Sequence, residues 1–284
     1  MQKQKIPWLR WLFLLLGVLP PLAGLIYSFL YSIGGTGALS TGWTARYWVR
    51  LLEEKGFWAA LSWSAAIAIS VSLLSSGIAI GLVLGWKNRL DRPNWSAIMS
   101  LPLFFPPIVA AFIGYQWLSS SGIIARMAFW AGWIQGPEAF PAIVNSPNQL
   151  GLVLTLLIFQ VPLFVLVSWY HYKEARVSDF QEQASALGAT GLQAIRTIAV
   201  PILWNRMKPT MVIYGVFLFG AYEIPLVLGQ QYPGMLSVFL HQKFKRYDLF
   251  DIPVAYAGTF IYALIVLAST LYFFKTLQKE VQNK

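Results

Sequence analysis

The sequence predicts an all-α membrane protein, a polytopic bundle of six transmembrane helices forming one domain over residues 1–284. Three observations lead there. The chain is 57% hydrophobic and 11% charged, whereas a soluble domain carries about 25% charged residues, so much of its surface must face something other than water. Six apolar runs reach the length of about 20 residues that a helix needs to cross a bilayer. The charged residues gather between these runs rather than within them.

The first span runs from Trp11 to Ile33. Lys3, Lys5 and Arg10 precede it as in a signal peptide, but the apolar run is too long for one and no small-x-small cleavage site follows, so it reads as a retained helix. The second span, Phe57 to Trp86, contains Gly77, Gly81 and Gly85. Glycines four apart permit close helix approach, a weak packing signal. The third, Pro93 to Ser119, holds Leu101-Pro102-Leu-Phe-Phe-Pro106-Pro107. Proline removes a backbone donor and bends a helix, so Pro106 and Pro107 mark either a static kink or the hinge or lining of a pathway. Gln160 and Pro162 pose the same alternatives in the fourth span, Leu150 to Tyr172. The fifth, Pro209 to Leu228, carries Glu223 in Tyr222-Glu223-Ile-Pro225, the one acid inside a predicted span. A straight helix from Pro209 would put Glu223 about 21 Å along, past the midplane of a ~30 Å core. Such an acid suggests function. It is either satisfied by a local donor, placed at the interface because Pro225 ends the helix, in contact with a substrate, or coupled to a proton, although no second intramembrane acid or His joins it in a relay. The sixth span is Val254 to Phe274.

Lys and Arg concentrate on the cytoplasmic side of membrane proteins. With the N-terminus inside, inner segments take fourteen of the 21 basic residues and outer loops seven. Both termini are therefore expected in the cytoplasm. The outer stretches Met127 to Asn148 and Tyr232 to Asp251 mix aromatic, apolar and charged residues, as interfacial or shallow re-entrant helices do.

Several functions are disfavoured. With no Cys there is neither a disulfide nor a thiolate site. No G-x-x-x-x-G-K-[ST] phosphate loop occurs. The basic residues are scattered over loops rather than gathered in a patch for nucleic acid. His171 and His241 fall on opposite expected faces, and no nucleophile-and-base set stands out for a membrane-embedded enzyme.

The inner loop 173–208 is the longest polar interruption. Ser178 can cap a helix carrying Gln181, Glu182, Ala184, Ala186 and Leu187. Gly188 supplies the permissive backbone of a helix stop. A second helical stretch, Leu192 to Ala199, leads to Pro201. The residues alone fit either an amphipathic surface linker or a low-relief docking face.

The order Glu182-x-Ala184-x-x-x-Gly188, nine residues, Ile198-x-Val200-Pro201 resembles the EAA loop of integral membrane permeases in binding-protein-dependent ABC importers. Gln183 stands in place of the usual Ala and Val200 in place of a frequent Leu. The similarity extends to Pro102–Pro107 and to Pro225-Leu-Val-Leu-Gly229, a core of residues 57–275, closest in character to polyamine, ferric iron and thiamine permeases. The resemblance implies a type I ABC importer permease fold in a bacterial-type cytoplasmic (inner) membrane. It implies a coupling loop docked on a cytoplasmic ABC ATP-binding subunit through Glu182, Ala184, Ser185, Gly188 and Ala189, with Ile198 and Pro201 anchoring it to the bundle. ATP would be bound by that partner, leaving this chain non-catalytic and without a cofactor. Its other partners would be a second permease or a second copy, and an extracytoplasmic substrate-binding protein meeting the outer loops around Tyr232 to Asp251. Glu223, Tyr222, Gln160, Pro106 and Pro107 are the candidates for the substrate pathway. The rival is an ion-coupled secondary transporter, which a single Glu without a proton relay supports poorly.

Overall fold

The computed structural model describes residues 7–37, 40 and 42–282. Lys3, Lys5 and Lys284, which entered the charge bias, lie outside the described residues. All regular structure in them is helical. Among the described residues, five stretches are long and apolar enough to cross a membrane, which makes the chain a multi-pass membrane protein. It divides into two compact units, Met1–Ala59 with Phe239–Lys284, and Ala60–Val238.

In the first unit, α1 (Pro7–Ser32) packs on α13 (Asp251–Gln282). The contact is confined to the end of α1, where Ser28 Oγ donates to the Tyr256 carbonyl at 3.0 Å and Tyr31 lies 4.3 Å from the Tyr256 ring. Trp11 and Phe13, by contrast, are exposed, as a lipid-facing helix requires. The short α2 (Arg46–Glu53) covers α13 through the fully buried Leu51. α12 (Leu236–Phe244), the helix expected in the outer loop, carries a buried Lys243. Its ammonium lies 2.7 Å from Glu54 and 3.3 Å from Asp251, and Arg50 and Arg246 also reach Asp251. Three bases thus neutralise the acids around the first turn of α13.

The second unit is built around α3 (Lys55–Leu90), α7 (Leu150–Glu174) and α10 (Val200–Phe219). From Ala60, α3 buries Ser64, Ile67, Val71, Ser75 and Ala79, an i, i+3/i+4 stripe. Gly77, Gly81 and Gly85 lie on the opposite, exposed face, and a Cβ built on any of them meets nothing within 4 Å. They therefore mediate no close helix approach within the chain. The backbone leaves helical geometry at Trp86, where the span was expected to end. Ile80 and Val83 of α3, Phe164 and Trp169 of α7, and Leu203 and Met207 of α10 form one core with Val177 and Ala199 of the intervening loop.

Two expected spans are interrupted. In place of Pro93 to Ser119, the chain forms α4 (Pro93–Ser100), one 3₁₀ turn (Leu101–Phe104) and, after extended Phe105 and Pro106, α5 (Pro107–Leu118). Consecutive prolines lack the donors to continue the preceding turn, so the motif ends one helix and starts another. The apolar stretch long enough to cross is Pro107–Trp130, α5 followed by α6 (Ile123–Trp130). The fifth span also differs: α10 begins at Val200 and has Pro209 in its interior. Beyond Lys208 its apolar part reaches only to Phe219, about 16 Å, roughly half a bilayer core. Non-helical Gly220 and Ala221 follow, then α11 (Glu223–Leu228). Pro225 lies within the first turn of α11 and so helps to begin a helix rather than to end one, and the straight-helix depth estimated for Glu223 does not hold. α7, in contrast, runs unbroken through Pro162.

α11 is held tightly against its neighbours. A Cβ at Gly114 of α5 would lie 2.4 Å from Thr155 Oγ1 and 3.0 Å from Leu228 Cδ1, so only glycine allows α5, α7 and α11 to meet there. Leu228 accepts from the Asn145 amide at 3.0 Å. The buried Gln149, which caps α7 in a left-handed conformation, accepts from the Gln230 amide at 3.0 Å.

Candidate functional site

Two features stand out in the second unit. The first is a cavity of about 500 Å³, within the range of small-molecule sites. Its walls follow helical periodicity. Leu156, Phe159, Gln160 and Leu163 come from one face of α7, and Tyr214, Phe217, Leu218 and Ala221 continue one face of α10, both at i, i+3, i+4, i+7. The proline break supplies Pro102, Leu103, Phe105 and Pro107, and the start of α11 supplies Glu223 and Ile224.

Of the five expected pathway residues, the structure brings Gln160, Pro107 and Glu223 to this cavity. Pro106 caps α5 without lining it, and Tyr222 precedes the first residue of α11. Gln160 is 7% exposed, yet neither its Oε1 nor its Nε2 has a hydrogen-bond partner. An unpaired buried polar group costs about 1–3 kcal/mol, a cost that any hydrogen-bonding group brought to this amide would offset. Glu223 is exposed. Tyr214, Phe217, Phe105 and Phe159 were missed because aromatics in apolar spans read as core or lipid-facing. The signal was their spacing relative to Gln160 and Ala221.

The second feature is the loop between α7 and α10. α7 ends at Glu174, Arg176 takes a left-handed turn with φ 50°, and α8 (Val177–Ala186) follows. Arg176 rather than Ser178 occupies the cap position, and its guanidinium pairs with Asp179 at 2.8 Å. Tyr172 donates to Gln181 at 3.1 Å, and Glu174 pairs with Arg206, tying α8 to α7 and α7 to α10. α8 stops at Gly188, φ +90°. The Gly188 amide donates to the Ser185 carbonyl at 3.0 Å and the Ala189 amide to the Ala184 carbonyl at 2.9 Å, the paired bonds of a Schellman stop. Thr190 and Gln193 then cap one another at the start of α9 (Gly191–Ala194). A π-helical turn, Ile195–Ala199, leads into α10.

Backbone donors and acceptors at this turn are thus met locally, leaving side chains to face outward. Glu182, Ser185 and Gly188 are exposed, and Ala184 and Ala189 are half-buried. Leu187 (89% exposed) and Leu192 (76% exposed) protrude furthest among the apolar side chains here; as large apolar residues in the most polar stretch, they were visible in the sequence but not singled out. The anchoring differs from expectation. Ile198 is half-buried and Pro201 exposed, whereas Val177, Ala199 and Leu203 enter the core. Pro201 sits in the first turn of α10, directly after the π-helical turn.

No known protein-family profile matches the chain, and no curated protein matches it. Solved structures do. The chain is similar to one from a bacterial ABC transporter involved in the import of the acidic polysaccharide alginate, with 18% identity and TM-score 0.64, covering 96% of this chain and 93% of that one. It is also similar to one from a bacterial alginate ABC transporter in complex with alginate pentasaccharide-bound periplasmic protein, with 19% identity and TM-score 0.68, covering 94% and 90%. At such identities the likeness establishes the fold: this chain shares, over nearly its whole length, the helical fold of a chain found in bacterial ABC importers.

Proposed function

We propose that the chain is the non-catalytic permease subunit of an ATP-driven ABC importer. The observation that carries this reading is the loop from Glu182 to Pro201. It joins a rigid, locally satisfied backbone, an outward face of small residues and two protruding leucines to a fold that ABC importers contain. Glu182, Ala184, Ser185, Gly188 and Ala189 form the docking face for a cytoplasmic ATP-binding subunit, with Leu187 and Leu192 as its apolar anchors. Closure of that subunit on ATP pulls the loop, and Val177, Ala199 and Leu203 pass the movement to the core. The two units act as one transmembrane permease domain in the inner membrane, both termini cytoplasmic. It works with a second permease or a second copy, and receives substrate from an extracytoplasmic binding protein. The cavity bearing Gln160, Pro107 and Glu223 is its pathway segment, and the cargo is a small solute of the polyamine, ferric iron or thiamine class.

The test is reconstitution with a nucleotide-binding subunit. ATP hydrolysis is expected to rise on complex formation, and Gly188→Asp to abolish the stimulation. Asp tolerates left-handed backbone, so the loop keeps its shape while a charge meets the partner. Transport by this chain alone, dissipated by uncouplers, would instead establish the ion-coupled secondary transporter.

A further inference from the structure

Within the small-solute class proposed above, and resting on that reading, we infer that the cavity selects an organic cation bearing a single charge, an aromatic or aliphatic body and a hydrogen-bonding group. Three features of the wall converge on this chemistry.

The first is charge. Among the described residues, Glu223 is the only carboxylic acid lining the cavity, and no Lys, Arg or His accompanies it. The start of α5, where helix amides would otherwise attract an anion, is occupied by Pro106 and Pro107, which have no N–H. The Val109 and Ala110 amides both donate to the Pro106 carbonyl. One carboxylate matches one positive charge. A polyamine would bring several charges to a single acid. A bare ferric ion needs several hard ligands, and among the described residues no group of three or more His, Asp or Glu could hold a metal ion.

The second is the apolar wall. Phe105 and Phe159 meet edge to face at 6.2 Å, and Tyr214 and Phe217 at 6.3 Å. Their rings suit the body of an organic cation, since aromatic faces attract cationic groups and apolar surface gains by burial. A small hydrated ion gains nothing from them.

The third is Gln160. Its buried, unpartnered amide offers one acceptor and two donors. A lipid tail in the cavity would leave all of them unpaired, whereas a ligand carrying a hydroxyl or amino group would pair them. The cavity is thus built for a molecule with a charge for Glu223, a body for the aromatic wall and a polar group for Gln160.

The test is equilibrium binding to the purified chain in lipid nanodiscs, using 3-hydroxyphenyltrimethylammonium and its neutral carbon isostere, 3-tert-butylphenol. The cation is expected to bind at least tenfold more tightly. Glu223→Gln should bring the two within about twofold. Gln160→Leu, which keeps the side-chain volume, should weaken both severalfold and preserve the preference for the cation. Helicity and monodispersity establish that each variant is folded. Equal binding of the isosteres overturns the inference. So does tighter binding of spermidine, ferric citrate or galacturonate, and so does absence of cation binding by the folded chain. Because no ATP-binding subunit is present, the two readings fail separately. A chain that binds the cation but never couples to ATP hydrolysis refutes only the importer reading; one that couples but lacks the charge preference refutes only this one.

Discussion

Gly188 separates two explanations of a loop glycine, because its backbone and its surroundings make opposite demands. Its φ is +90°, and a built Cβ meets nothing within 4 Å. A side chain there costs only backbone strain, about 1–2 kcal/mol for Ala and less for Asn, which adopts left-handed backbone more readily. That is roughly a 5- to 30-fold shift toward the open turn for Ala. It is readable as faster hydrogen exchange of the Gly188 and Ala189 amides, whose acceptors are the Ser185 and Ala184 carbonyls. Loop integrity should therefore rank Gly, then Asn, then Ala. Docking asks for something else. If the partner lies against this face, bulk decides and coupling to ATP hydrolysis should rank Gly, then Ala, then Asn. The assay is the pair of measurements on one set of variants in the reconstituted complex. Identical ranking in both would refute the docking argument and leave Gly188 as a helix stop alone.

Three further outcomes follow from the packing. Gly114→Ala forces a Cβ to 2.4 Å from Thr155 Oγ1 and should destabilise the chain by about 1–3 kcal/mol, seen as a lower thermal midpoint in detergent. Adding Thr155→Ala should restore most of the loss, and no rescue would mean that the contact is not the cause. Lys243→Met leaves Glu54 and Asp251 without the buried ammonium that joins them at 2.7 and 3.3 Å. It should cost about 3 kcal/mol, as breaking one side of a buried pair does, and Glu54→Gln in the same chain should recover part of it. Asp248 accepts from the Phe250 amide and from Arg50, and these contacts hold its carboxyl below the ordinary value. A depressed folded pKa adds stability above the unfolded pKa that is lost as pH falls through the folded one. Asp248→Asn should therefore lower the thermal midpoint modestly at neutral pH, where that contribution is present, and the two midpoints should converge as pH falls below about 4.

The sequence revealed uninterrupted helices better than broken ones. α1, α3, α7 and α13 are read from hydropathy because length and composition are all that such a span requires, and even the kink at Trp86 falls where the apolar run ends. Pro93 to Ser119 and Pro209 to Leu228 read as single spans because hydropathy averages over a break. The chain leaves the helix at Phe105 and Pro106, and again at Gly220 and Ala221, where a few residues decide the path. The same averaging hid the cavity: its polar members, Gln160 and Glu223, were conspicuous, but Tyr214 and Phe217 line it only because α10 turns them toward the same space. In the loop, local chemistry was legible. Gly188 as a helix stop and helix to Ala199 follow from residue type, whereas Arg176 as a left-handed cap and Val177 as an anchor depend on how α7 meets α10.

The likeness to chains of alginate importers bears on architecture, and the pathway proposed for the cavity bears on cargo; under that proposal the two diverge. An acidic polysaccharide brings negative groups, which the single carboxylate of Glu223 would repel. Two like charges about 5 Å apart at an effective dielectric near 20 cost about 3 kcal/mol, and among the described residues no Lys, Arg or His in the wall offsets it. A shared fold does not forbid this difference, because the elements that hold the bundle are not those that line the cavity. The packing that fixes α5, α7 and α11 lies at Gly114, Thr155 and Leu228, and the core that carries the loop lies at Phe164, Ala199 and Leu203. Phe159, Gln160 and Phe217 lie on other faces or turns of those helices, so exchanging them alters the wall without replacing a member of either contact set, whereas Tyr214 also packs edge to face on Phe164 at 5.4 Å. The lining of a cavity can therefore differ between chains of this fold while the helices that carry it keep their places.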